Sequence, residues 1–77
     1  MGWKTLNNQL VKEFTFDNFS QAWAFMSQVA LAAEKMDHHP EWTNIYNKVL
    51  IKLNTHSAGN IITEKDRALA QLIDNLY

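Results

Sequence analysis

The sequence predicts an α+β fold: a two-layer domain of order β-β-α-β-β-α, in which a four-stranded antiparallel sheet carries both helices on one face. Three observations predict it. A long stretch from Phe19 to Met36 repeats apolar residues every three or four positions. Stretches on either side of it alternate apolar and polar residues, as half-buried strands do. The sole proline, Pro40, then separates the helical stretch from the strands that follow. At 77 residues the chain forms a single domain, 1–77.

The elements follow in order. Trp3–Leu6 and Gln9–Phe16 read as a hairpin around Asn7-Asn8, a pair that tolerates the left-handed conformations of a tight turn. In its second strand Leu10, Lys12, Phe14 and Phe16 share one face, and Val11, Glu13 and Thr15 the other. Asp17 is the expected N-cap of a helix of about twenty residues. Its apolar stripe is Phe19, Ala22/Trp23, Met26, Val29/Ala30, Ala33 and Met36. The helix must end near His38, because the residue before a proline is pushed out of helical geometry. Glu41–Tyr46 and Lys48–Asn54 are the next two strands, with Val49, Ile51 and Leu53 alternating against Lys48, Leu50 and Lys52. Thr55–Ile62, containing Ser57 and Gly59, is a loop. Thr63 with Asp66 three residues on forms a variant capping box, opening a last helix striped by Leu69, Leu72, Ile73 and Leu76.

Composition excludes several function classes. Seven basic and eight acidic residues are spread along the chain, for a net charge of −1, and no basic block exists to neutralise phosphates. Direct nucleic-acid binding is therefore not expected. Apolar stretches are too short to span a bilayer and no signal-peptide pattern opens the chain, so a soluble, cytoplasmic protein is expected. There is no cysteine, hence no disulfide and no thiolate zinc site. A domain of this size buries only about 60–65% of its unfolded surface, and self-association is the expected source of further stability. A homodimer or homotetramer follows.

Nothing in that fold requires two adjacent histidines, yet the stretch EKMDHHPEW places His38 and His39 between an aspartate and the proline. The one other histidine is His56. The first two stand at a helix C-terminus and the third just past a strand end. Two such junctions can meet at one rim of a sheet and gather three imidazoles around one cleft. With an unperturbed pKa of about 6.5, imidazole can both give and take a proton near neutrality.

Glu34, His38-His39-Pro40, Tyr46, His56 and Asp66, with the surrounding EKMDHHPEWTNIYNKV and THSAG, resemble the signature of the pterin-4a-carbinolamine dehydratases over essentially the full chain. The resemblance implies a four-stranded antiparallel sheet with helices on one side. It implies as activity the loss of water from a 4a-hydroxytetrahydropterin to give the quinonoid dihydropterin, a pterin-recycling reaction that uses no metal or organic cofactor. By that resemblance His39 matches the essential histidine, and His38 and His56 the supporting pair. Pro40, Thr55, Ser57 and Ala58 fall where the family holds its pterin. Glu34 and Asp37 are carboxylates able to orient imidazoles, and Asp66 acts at the first turn of the last helix. By the same resemblance many members begin with an additional helix ahead of the first hairpin; none is expected before Trp3, a departure that would bear on oligomer geometry. The loop between His56 and Asp66 is about one residue longer than in some relatives, so Ser57–Ile62 is expected to hold the ligand differently.

Each position also has a plainer reading. A histidine near a helix C-terminus complements the dipole or bonds the last carbonyls, and His56 alone is a loop residue. Asp66 can be only a capping partner. Trp42 and Tyr46 are expected to pack the sheet, Phe19–Trp23–Met26–Val29 to form core or subunit interface, and Lys48 and Lys52 to line a solvated strand face. Replacing any of the three histidines is not expected to unfold the protein, since loop and helix-end imidazoles contribute little core packing. Two other classes of function stand beside the enzyme. One is a metal site built from Asp37, His38, His39 and His56, although adjacent histidines rarely chelate one ion. The other is an interaction module, since some pterin dehydratases also bind transcription factors; no feature of this sequence selects such a partner.

Overall fold

In a computed structural model, which describes residues 2–77, the order is β1 (Lys4–Leu6), β2 (Gln9–Thr15), α1 (Phe19–Met36), β3 (Glu41–Ile45), β4 (Lys48–Leu53) and α2 (Glu64–Leu76). A single 3₁₀ turn, His56–Ala58, lies between β4 and α2. The four strands form one antiparallel sheet in the order β1-β2-β4-β3, which is the predicted α+β arrangement. Strand ends fall within a residue of those read from the sequence. None of the described helices is long and apolar enough to cross a membrane.

The β1–β2 hairpin turns at Asn7 and Asn8, whose φ values of +52° and +61° are those of a two-residue turn matched to strand twist. Alternation then decides the faces. Phe14, Val49, Ile51 and Leu53 are buried beneath the helices, and Glu13 and Leu50 pair on the open side. Lys12 also lies on the helix side. Its Nζ sits 2.8 Å from Asp74 Oδ1, and Trp3 Nε1–H donates to the same carboxylate at 3.1 Å. These contacts tie the last turn of α2 to the sheet, so a charged side chain is accommodated on the covered face.

Helix α1 differs from expectation at its start and on its buried face. Its N-cap is Asn18, not Asp17: Asn18 Oδ1 accepts the Gln21 N–H at 2.9 Å, while the Asp17 N–H is taken by Gln21 Oε1. Either carboxylate or amide satisfies a first-turn donor, and a one-residue shift costs the pattern nothing. The buried positions are Ala22, Phe25, Met26, Val29 and Ala33. Phe19 and Trp23 stack on each other at the surface, and Ala30 is exposed too. In α2, Leu69, Ala70 and Ile73 are buried while Leu72 and Leu76 keep 41% and 37% of their surface exposed. Trp42 packs against the core as expected. Tyr46 does not: it is 62% exposed in the β3–β4 turn, with φ +51°, because the chain reverses there and carries its ring away from the sheet.

Candidate active site

Helix α1 stops by a local device that also aims the histidines. Asp37 takes the left-handed conformation (φ +54°), the Asp37 N–H bonds Glu34 O at 3.1 Å, and the His38 N–H reaches back to Ala33 O at 3.0 Å. This is the Schellman geometry that satisfies the last carbonyls, with an aspartate where glycine is commonest. The reversal turns His38 into the protein, where it is buried, and leaves His39 exposed beside Pro40 and the start of β3.

Each of these imidazoles meets a carboxylate through Nε2. His39 Nε2 is 2.8 Å from Glu34 Oε1, an exposed pair one turn back on α1. His38 Nε2 is 2.6 Å from Asp66 Oδ1, and Asp66 is fully buried. The other oxygen of Asp66 accepts the Thr63 N–H at 2.8 Å and the Thr55 hydroxyl at 2.7 Å. Thr63 is the N-cap of α2 and Asp66 its capping-box partner, as the sequence indicates. Burial alone would raise the Asp66 carboxyl, but the bonds from His38, the Thr63 backbone and Thr55, with the charge of His38, together hold it below its ordinary value. His38 is thus no helix-end ornament. Removing it leaves a buried oxygen without its partner, contrary to the expectation that all three histidines are dispensable for folding.

His56 opens the 3₁₀ turn beyond β4. The turn is held by Thr55, whose N–H bonds Ile61 O at 2.8 Å and whose carbonyl accepts from Ala58 and Asn60. Gly59 closes it at φ +90°, a conformation glycine adopts at no steric cost. The predicted loop is therefore a compact, bonded turn, and His56 stands exposed on it.

His38, His39 and His56 all line one cleft of about 510 Å³, as the meeting of the two junctions predicts. Asp37, Pro40, Thr55 and Ser57 line it as well. Ala58 does not, and Glu34 and Asp66 stand outside its wall, each touching a histidine. Four lining residues were not anticipated: Glu41, Lys52, Asn54 and Lys65. Lys52 was expected on a solvated strand face. It pairs with Glu41 across β3 and β4, at the end of the sheet where the cleft opens. Its place next to a strand end, three residues before Thr55, was the available signal. Tyr46 sits at the far end of β3, away from the cleft. Among the described residues, no three His, Asp or Glu side chains converge as a metal ion would need.

Comparison with known proteins places this geometry. Residues 1–76 match the family described as Pterin 4 alpha carbinolamine dehydratase. A Prochlorococcus marinus (strain MIT 9215) protein provisionally named pterin-4-alpha-carbinolamine dehydratase is 50% identical over 99% of this chain and 78% of its own length. Its counterpart in strain NATL2A, also provisionally named, is 55% identical over 96% of this chain and 77% of that one. Among solved structures, a transcriptional coactivator/pterin dehydratase from Brucella melitensis superposes with a TM-score of 0.93 at 44% identity, covering 97% of this chain and 81% of the other. A pterin dehydratase-like protein described as a RuBisCO assembly factor in the alpha-carboxysome superposes at 0.84 with 28% identity, covering 99% and 89%.

Proposed function

We propose that this chain, which belongs to the pterin-4-alpha-carbinolamine dehydratase family, dehydrates a 4a-hydroxytetrahydropterin by histidine acid–base catalysis. The observation that carries the reading is the convergence of His38, His39 and His56, from two separate junctions of the fold, on one cleft. At about 510 Å³ the cleft is in the range that takes a small heterocycle.

The chemistry assigns work to each wall. The C4a–O bond breaks, and a proton delivered to the departing oxygen converts it to water. The adjacent ring N–H gives up its proton, and that electron pair completes the C=N bond of the quinonoid product. One group donates and one accepts, so the enzyme ends with its proton count unchanged. His39 is the principal proton-transfer group and His38 its partner. His56, exposed on its turn, protonates or orients the leaving hydroxyl from the opposite wall. Asp37, Pro40, Thr55 and Ser57 shape the pterin pocket, while Glu34 orients His39. No metal or organic cofactor enters the proposed reaction, and the active species is a dimer or tetramer.

The test is a stopped-flow measurement of 4a-hydroxytetrahydropterin dehydration with wild type and His39→Ala. Wild type should accelerate the reaction with no metal added and with a chelator present. The variant should lose about 10²–10⁴ in kcat while keeping its thermal midpoint. A wild type that does not accelerate the reaction, or one inactivated by chelator and restored by zinc or iron, would overturn the proposal. A second reading, a partner-binding module, is favoured by the apolar side chains Phe19, Trp23 and Leu31 exposed along α1. It would gain if function in cells survived removal of all three histidines.

A further inference from the structure

The hydrogen bonds around Asp66 leave little freedom in where the protons lie. The Thr63 N–H is a fixed donor, so Asp66 Oδ2 must accept. Thr63 Oγ1 accepts the Lys65 N–H at 3.3 Å and lies 2.6 Å from Thr55 Oγ1. Thr55 Oγ1 is also 2.7 Å from Asp66 Oδ2. The arrangement that satisfies every contact runs one way: the Thr63 hydroxyl donates to Thr55, and the Thr55 hydroxyl donates to Asp66. With Asp66 as carboxylate, Oδ1 can only accept, and His38 Nε2 at 2.6 Å must carry the hydrogen. Its other ring nitrogen, Nδ1, makes no hydrogen bond among the described residues, and His38 lines the cleft.

We propose that Asp66 is a positioning residue that fixes neutral His38 as the Nε2–H tautomer, so that bare Nδ1 is the proton acceptor of the proposed dehydration. The proposal rests on that functional reading for its second half only. The tautomer itself follows from the protein's own hydrogen bonds. Carboxylate–imidazole pairs set tautomer and ring orientation in this way wherever the carboxylate is held by further donors. Here those donors are the cap of α2 and the strand-end Thr55. Folding of the last helix and preparation of the imidazole are therefore one event.

Asp66→Asn makes the idea sharp. The Thr63 N–H still requires an acceptor at the Oδ2 position, so the amide oxygen must sit there and the NH₂ must face His38. A donor now opposes Nε2. His38 can keep its bond only by moving its proton to Nδ1, which removes the acceptor from the cleft.

The experiment is long-range ¹⁵N–¹H NMR of ¹⁵N-histidine-labelled protein, read on the neutral limb of a pH titration, with dehydration kinetics alongside. Wild-type His38 should show Nε2–H and bare Nδ1. Asp66→Asn should show the inverse, with kcat reduced by about 10²–10⁴ and KM changed much less. Thr55→Val, which removes one donor to Asp66 but leaves the His38 contact, should retain the wild-type tautomer. A wild-type His38 bearing its proton on Nδ1 would overturn the proposal even if Asp66→Asn failed to fold. So would an inverted tautomer with full turnover, since Nδ1 would then not be the acceptor. If wild type proves to have no dehydratase activity, the functional reading fails, and the NMR spectra still decide the tautomer.

Discussion

Replacing His38 by alanine should destabilise the domain far more than replacing His39, although the two are neighbours of identical chemistry. The difference is burial. His38 and Asp66 have side chains 10% and 0% exposed, whereas His39 and Glu34 are 57% and 79% exposed. Removing His38 strands Oδ1 of a buried carboxylate, a loss of about 3 kcal/mol when an unpaired charged acceptor and a broken buried pair are weighed together. A domain of 77 residues has roughly 4–12 kcal/mol in all. Since each kcal/mol moves the midpoint of so small a domain by about 4–8 °C, His38→Ala should melt roughly 12–24 °C below wild type. An exposed pair is worth about 0.5 kcal/mol or less, so His39→Ala should stay within about 4 °C. His38→Gln, whose amide N–H can stand near the place of Nε2, should recover part of the loss. Circular-dichroism melts at pH 7 read all three variants. A His38→Ala midpoint within about 4 °C of wild type would refute the reasoning and mean that Asp66 finds another partner or a proton at little cost.

Two further outcomes follow from the same structure. Because the folded state depresses the Asp66 carboxyl, its ionised form contributes stability that is fully present above the unfolded value near pH 4 and is lost as pH falls through the lower folded value. Denaturant melts should show wild type weakening across that acid range and Asp66→Asn, which has no such proton to bind, showing a flatter profile; equal slopes would contradict the assignment. Self-association into dimers or tetramers, supported by the exposed α1 side chains Phe19, Trp23 and Leu31, should appear in sedimentation equilibrium at tens of micromolar (roughly the working range) and weaken in Trp23→Glu. A folded monomer throughout would refute it.

Features dictated by neighbours along the chain were legible in the sequence. Asn7-Asn8 announced a turn because few other residues accept positive φ twice in succession. Thr63 and Asp66 announced the start of α2 because a capping box is complete within four consecutive residues. The spacing of His38, His39 and His56 about two junctions announced a shared cleft, and the fold brings those junctions together. Where two local solutions were equivalent, as with Asp17 and Asn18 at the head of α1, the sequence could not choose between them.

What only the tertiary structure decided lies between residues far apart in sequence. Asp66 is fully accounted for by its own helix cap, so no local pattern hints that its second oxygen serves His38, 28 positions earlier. That pairing depends on how α1 and α2 lie together over the sheet. The outward side of α1 is likewise invisible in its periodicity: Phe19, Trp23 and Phe25 are all large and apolar, and only the packing against Phe14, Phe16 and Tyr77 makes Phe25 core, while the other two stay at the surface. Lys52 alternates like any solvated strand residue, and it lines the cleft because β4 ends there. Turns, caps and helix ends are settled within a few residues of chain, while burial, ion pairing and the wall of a cleft are settled by which faces meet.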